Sequence, residues 1–121
     1  MKATIFDRSG SPQFFIEDET FYDLSGQPVA FLDDENIVKF SGYHAGWLRD
    51  GYVRDSTGGA VGFIEGAKGG PPLPKIINSP ILTVGRPAPI APMLKTWTKP
   101  PVFGNKWASR TLNQFFRGRL L

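Results

Sequence analysis

One phrase of sixteen residues is written four times without a gap between Ile5 and Ala67, and it limits the fold more than any other feature of the chain. Gly10, Gly26, Gly42 and Gly58 stand sixteen residues apart, each preceded by Ser9, Ser25, Ser41 or Thr57. Five residues after each glycine comes an aromatic, Phe15, Phe31, Trp47 or Phe63, followed by Ile16, Leu32, Leu48 or Ile64. A fixed period marks an architecture in which each repeat is one supersecondary unit that buries its apolar face only against its neighbours. Sixteen residues accommodate two short strands and two turns, and are too few for a propeller blade or a leucine-rich repeat.

Each copy opens on a short apolar run (Ile5-Phe6, Phe21-Tyr22, Ile37-Val38, Val53-Arg54), passes through the Ser/Thr-Gly pair and continues into a second apolar run. Two β-runs about a glycine turn make a hairpin. Glycine supplies positive φ without steric cost and the hydroxyl can bond within its own turn. Pro12 and Pro28 open the second strand, where a missing N–H is tolerated. The polar clusters Glu17-Asp18-Glu19, Asp33-Asp34-Glu35 and Arg49-Asp50-Gly51 read as solvated turns between units.

The second strand, cleanest in Val29-Ala30-Phe31-Leu32, is apolar on both faces and needs cover on both. One face groups Val29 and Phe31 with Ala45, Trp47, Val61 and Phe63, an expected ring of aromatic core. The other carries Ala30, Gly46 and Gly62 at one level and Leu32, Leu48 and Ile64 beyond, as though backbones approach closely around an axis. Phe14 is the large residue at that level in the first copy, and is expected to fill space its counterparts leave. Isolated hairpins are marginal in water. The expected fold is therefore all-β, four sequential hairpins in a closed or nearly closed array with pseudo-fourfold symmetry.

Cysteine is absent, which removes disulfides, thiolate metal sites and cysteine nucleophiles. His44 is the sole imidazole; it occupies the slot held by Pro12, Pro28 and Ala60, and is expected at a surface or interface. No calcium-loop spacing, nucleophile elbow, P-loop or dinucleotide fingerprint occurs, so no catalytic residue, metal or cofactor is expected. The N-terminus lacks the apolar core of a signal peptide and no run approaches the length of a membrane span, which leads to the expectation of a cytoplasmic protein.

Charge is segregated. Residues 1–67 hold all 11 acids against Lys2, Arg8, Lys39, Arg49 and Arg54, a net of 5 − 11 = −6, whereas residues 68–121 hold nine bases and no acid. Either an acidic body docks its own basic tail, or the tail meets an external polyanion. Nine prolines between Pro71 and Pro101 exclude regular helix or central strand there. Ile81, Val84, Pro87, Ile90 and Met93 recur every third residue, and Leu73 and Ile76 share the spacing, so the tail is expected to lay the apolar edge of a polyproline rod on the body. Ser109 to Gly118 reads as a short helix capped by Ser109, with Leu112, Phe115 and Phe116 facing the body, a second copy or a membrane. The expected divisions are 1–68, 69–106 and 107–121.

Tyr22-Asp23-Leu24-Ser25-Gly26-Gln27-Pro28-Val29-Ala30-Phe31, Gly46-Trp47-Leu48-Arg49-Asp50-Gly51, Gly69-Gly70-Pro71-Pro72-Leu73-Pro74 and the closing Trp107 to Phe116 together resemble the four-fold β-flower family, bacterial proteins built from four hairpin petals. The resemblance covers essentially the whole chain and implies a fold; it brings no activity and no functional residues. Tyr22-Asp23 before Gly26 is also similar to the tyrosine-aspartate repeats of toxin shells, and Gly46-Trp47 to choline-binding modules, but both have longer periods.

The expectation for function is a non-enzymatic interaction or scaffold protein. A second reading is a peripheral membrane, lipid-binding or small apolar ligand-binding protein that uses an axial apolar space or the basic aromatic tail. Trp97, Trp107, Arg110, Phe115, Phe116, Arg117 and Arg119 are the candidate contacts, since bases interleaved with aromatics suit a protein or an anionic lipid, and nucleic acid less well. A homo-oligomer is compatible with the same residues.

Overall fold

The computed structural model describes residues 1–118. Eight antiparallel strands follow one another around a closed barrel. They are β1 (Lys2–Phe6), β2 (Pro12–Glu17), β3 (Thr20–Asp23), β4 (Pro28–Asp33), β5 (Asn36–Val38), β6 (His44–Arg49), β7 (Tyr52–Arg54) and β8 (Ala60–Phe63); a helix α1 (Leu112–Arg117) follows a long extended segment. The four hairpins are the four copies of the phrase. Each carries its register shift at the same place, between Ile5/Phe6, Phe21/Tyr22, Ile37/Val38 and Val53/Arg54. A repeated bulge bends and twists each hairpin alike, which is how four short ribbons curl into one ring. Phe6 pairs with Phe63 to close it, their rings stacked at 5.4 Å.

The turns repeat at the level of single bonds. The amides of Gly10, Gly26, Gly42 and Gly58 donate to the carbonyls of Asp7, Asp23, Lys39 and Asp55 at 2.8–3.0 Å, and those four residues donate in turn to Ser11, Gln27, Tyr43 and Gly59. All four glycines have φ between 85° and 88°. In three copies an aspartate organises the loop: Asp23 Oδ1 accepts from the Ser25 amide at 2.9 Å, its hydroxyl at 2.6 Å and the Gln27 amide at 3.0 Å. The Ser/Thr hydroxyl thus works through this carboxylate, a partner the Ser-Gly pattern alone does not reveal.

The barrel interior is packed by Ile5, Phe14, Ile16, Phe21, Ala30, Ile37 and Val53 together with Leu112, Phe115 and Phe116 of α1. The helix is a plug. A side chain at Gly46 would come within 3.0 Å of the Phe115 ring, and one at Gly62 within 2.9 Å of Leu112 and 2.8 Å of the Phe6 carbonyl. The small residues therefore serve two purposes, admitting the helix and letting a neighbouring strand's bulge approach. Phe14 lies inside, 1% exposed, with its ring 4.7 Å from that of Phe116.

Two expectations are corrected here. Phe15, Phe31, Trp47 and Phe63 are buried but belong to the outer face of the barrel, opposite the Phe14, Ala30, Gly46 and Gly62 positions that meet the plug. They stack on outward neighbours such as Tyr22 and Phe6 and lie beneath the tail. The helix begins later than expected: Thr111, not Ser109, is the N-cap, its hydroxyl accepting from the Gln114 amide while the Gln114 side chain accepts from the Thr111 amide. The Thr-x-x-Gln spacing of a capping box outcompetes the earlier serine.

Candidate interaction surface

Residues after Gly70 wrap the barrel as a strap fastened to its turns. The Ile77 amide donates to the Gly10 carbonyl at 3.0 Å, the Gly85 and Arg86 amides to Gly26 at 3.0 and 3.2 Å, and the Lys95 and Thr96 amides to Gly42 at 2.8 and 3.4 Å. Val102 lies against Gly58, where a side chain would clash with its carbonyl. Ile77, Arg86 and Lys95 are nine residues apart. A nine-residue tail period is thus laced to a sixteen-residue body period. The Ser/Thr-Gly motif bends each hairpin, and in three copies its glycine carbonyl accepts strap amides, whereas the Gly58 carbonyl accepts from Arg54.

This overturns the three-residue polyproline edge. Ile81, Ile90 and Met93 are 95%, 97% and 84% exposed, Pro87 is exposed, and of that set Val84 alone is half-buried. The inward positions are Pro74, Ile76, Pro80, Leu82, Val84, Pro92 and Leu94 among others, largely spaced by two. The chain alternates like an extended strand between its fastenings because hydrogen bonds to the turns, not a threefold apolar edge, set its rotation.

Buried polar side chains secure both ends of the strap. Arg54, 2% exposed, replaces the Phe6, Tyr22 and Val38 of the other copies; it donates to the carbonyls of Gly58 at 3.0 Å, Gly104 at 2.6 Å and Gly69 at 3.2 Å. Burial pulls its pKa below the usual arginine value, opposed by Tyr52 and Asp50. The Tyr52 hydroxyl donates to the Pro71 carbonyl, and burial raises its pKa against the pull of Arg54. His44 is 1% exposed, so the expectation of a surface histidine is corrected: the strap covers it. Its amide donates to Thr96 Oγ1 at 2.9 Å, and its Nδ1 accepts from the Thr98 amide at 3.0 Å, which assigns the ring proton to Nε2. The ring meets Trp47 edge-on at 4.9 Å and lies parallel to Trp97 at 6.4 Å.

The candidate contacts separate into two groups. Phe115 and Phe116 are 2% and 3% exposed and their rings are taken up inside the barrel. Trp107 is half-buried, bridged to β8 by its pairing with Ala60 and covered by the Arg8 guanidinium at 5.9 Å. Trp97 remains 59% exposed, and Arg110 and Arg117 are exposed; Arg119 lies outside the described residues. Among the described residues, Arg117 with Asp23 is the one ion pair joining tail to body. Lys75, Arg86, Lys95, Lys99, Lys106 and Arg110 face solvent. In the third copy Lys39 stands where the other turns have aspartate; its Nζ donates to the Phe116 carbonyl at the end of α1. Desolvation, then the charge of Arg110, brings its pKa down to about 8.

The axial space that a ligand would need is filled by Leu112, Phe115 and Phe116. What remains are open recesses between strap and wall, such as one of about 410 Å³ with Phe31, Val38, Pro89 and Pro92 in its lining and Asp18, Glu19 and Asp33 at its edge. Among the described residues no three metal-ligating side chains gather, and no helix is long and apolar enough to cross a membrane.

A closed barrel of four equivalent hairpins, plugged by its own C-terminal helix and bound by a proline-rich strap, defines the class. The profile of the 4-fold beta flower proteins matches residues 3–116, and the chain belongs to that family. Comparison with curated proteins and with solved structures returns no match.

Proposed function

We propose that the protein is a non-enzymatic interaction module whose strap is the contacting element. One observation carries this reading: the strap is fastened by its backbone while holding Ile77, Ile81, Ile90, Met93 and Val102, all at least 63% exposed, out into solvent. Large aliphatic side chains scattered singly need no explanation, but five on one ordered segment of 26 residues (77 to 102) are what a contact surface presents. The fold supports it, since a wrapped barrel holds such residues at fixed positions without spending ordering entropy when a partner arrives. A cytoplasmic setting and a protein or anionic-lipid partner accord with the exposed bases of the same segment; nucleic acid leaves the aliphatic side chains without a use.

Photo-crosslinking in intact cells tests it. Benzoylphenylalanine at Ile77, Ile81, Ile90 or Met93 is expected to give discrete adducts at one or more positions, against none at Glu65, an exposed residue off the strap. Crosslinking at all four strap positions no stronger than at Glu65 would overturn the reading.

A further inference from the structure

The barrel has two unlike ends. In a closed ring of consecutive antiparallel strands, the turns holding Gly10, Gly26, Gly42 and Gly58 all lie at one end, and the turns holding Asp18-Glu19, Asp34-Glu35 and Asp50-Gly51 at the other. Call the first the crown. Every crown turn carries at least one large exposed apolar side chain. Ile77, 63% exposed, is bonded at Gly10; Leu24, 42% exposed, belongs to the Gly26 turn; Met93, 84% exposed, lies against Gly42; and Val102, 90% exposed, lies against Gly58.

Charge follows the same division. The crown's own carboxylates are engaged: Asp7 and Asp55 accept from their turn hydroxyls and amides, and Asp23 does so and also meets Arg117. Around them stand the exposed bases Arg8, Lys75, Arg86, Lys95, Arg110 and Arg117. The far end holds Glu17, Asp18, Glu19, Asp33, Asp34, Glu35 and Asp50 against Lys2, Arg49 and Lys68, and stays net acidic. The strap dips toward that end between fastenings: Lys2 Nζ, paired with Glu17, donates to the Leu82 carbonyl at 2.9 Å, and Pro89 and Pro92 line the recess edged by Asp18 and Asp33. Ile81 and Ile90 therefore stand exposed near the acidic end, an internal control for mere exposure.

We propose that the crown docks end-on against an anionic lipid bilayer. Four apolar side chains at one end of a fourfold barrel can bury together in the headgroup-acyl boundary, while the surrounding bases face lipid phosphates. The acidic end is turned away by repulsion, so the molecule has a single docking orientation. This deepens the interaction-module reading, rests on it, and narrows its strap contacts to Ile77, Met93 and Val102. A phosphate-lined nucleic acid would engage the bases but give Leu24, Ile77, Met93 and Val102 nothing to bury in, which is why a bilayer is favoured.

Co-sedimentation of the full chain with vesicles tests the proposal. Phosphatidylglycerol–phosphatidylcholine vesicles should carry the protein down, phosphatidylcholine alone should not, and binding should fall with added salt. Combining Leu24→Ser, Ile77→Ser, Met93→Ser and Val102→Ser should abolish sedimentation with an unchanged unfolding midpoint, and each of Lys75→Ala and Lys95→Ala should weaken it about five-fold. Ile81→Ser with Ile90→Ser should leave it unchanged. Failure to sediment with anionic vesicles at low salt overturns the proposal, as does equal loss in the Ile81/Ile90 variant, or complete displacement by single-stranded DNA. If vesicles fail while the strap crosslinks to a protein, the bilayer is wrong and the interaction module stands; if both fail, both fall.

Discussion

Asp23 shows how a single side chain sets a turn and joins it to the rest of the molecule. Burial favours its neutral form, but bonds from the Ser25 hydroxyl and amide and the Gln27 amide, with the nearby Arg117, outweigh this and hold its pKa below 3.8. The glycine beside it is constrained twice, by φ of 87° and by the strap. A methyl group on Gly26 would sit 2.5 Å from the Thr83 carbonyl, whereas one on Gly66, with nearly the same φ of 88°, meets nothing. Gly66→Ala is expected to cost about 1 kcal/mol of backbone strain, and Gly26→Ala about 3 kcal/mol because the strap must also move. Urea unfolding of the two variants checks this, and equal losses would mean the strap is not seated on the turn. His44 gives the strap a pH dependence. Burial lowers its pKa below 6.5, so the folded protein resists a proton that the unfolded chain accepts. Stability is then full above about pH 6.5 and falls as pH drops through that value toward the folded pKa. Protonation also replaces the Nδ1 lone pair that Thr98 uses. His44→Gln should flatten the profile between pH 7 and 5 relative to wild type; parallel profiles would contradict the neutral, strap-bonded ring.

At the scale of elements, α1 is the case where burial decides. Six residues are far below the length at which a helix holds itself in water. Thr111 and Gln114 satisfy its first amides, but a cap contributes only about 1 kcal/mol. Leu112, Phe115 and Phe116 each contribute about 1.5–3 kcal/mol on burial, so the barrel makes the helix and the helix completes the barrel core. Phe115→Ala is expected to destabilise the whole protein by about 3–5 kcal/mol, seen as one cooperative transition in tryptophan emission and far-ultraviolet dichroism. A loss below about 1 kcal/mol would show the helix to be merely perched. The hairpins were legible in the sequence because Ser/Thr-Gly and the apolar run after it recur in strict register, and a period of sixteen leaves little else to build. The side of the wall each aromatic faces was not legible. Phe14-Phe15-Ile16 is apolar throughout, and alternation cannot tell inside from outside until α1 is known to occupy the axis. The path of the strap was hidden for a related reason. Pro71, Pro80 and Pro89 carry its nine-residue spacing, but the nearer threefold coincidence of Ile81, Val84, Pro87, Ile90 and Met93 hid it.

For the whole molecule, two repeats of different length have to agree. Three turns at one end present carbonyls to strap amides nine residues apart, and the chain then passes the fourth turn at Val102 before its end turns inward as the plug. Arg54, Tyr52 and His44 hold the strap where it starts, where it ends and at the third turn, positions where the fourfold pattern is broken. The departures from symmetry were visible as exceptions in the sequence, but the backbone carbonyls and amide they satisfy belong to residues 15 to 54 positions away, beyond the reach of local pattern. The same wrapping that hides the outer aromatics leaves the strap's other side exposed. Native-state hydrogen exchange measures that wrapping most directly. The amides of Ile77, Gly85 and Lys95 should exchange as slowly as the barrel strands, through unfolding of the whole protein; exchange of all three at the rate of an unstructured peptide, with the strands still protected, would contradict a strap fastened to the turns.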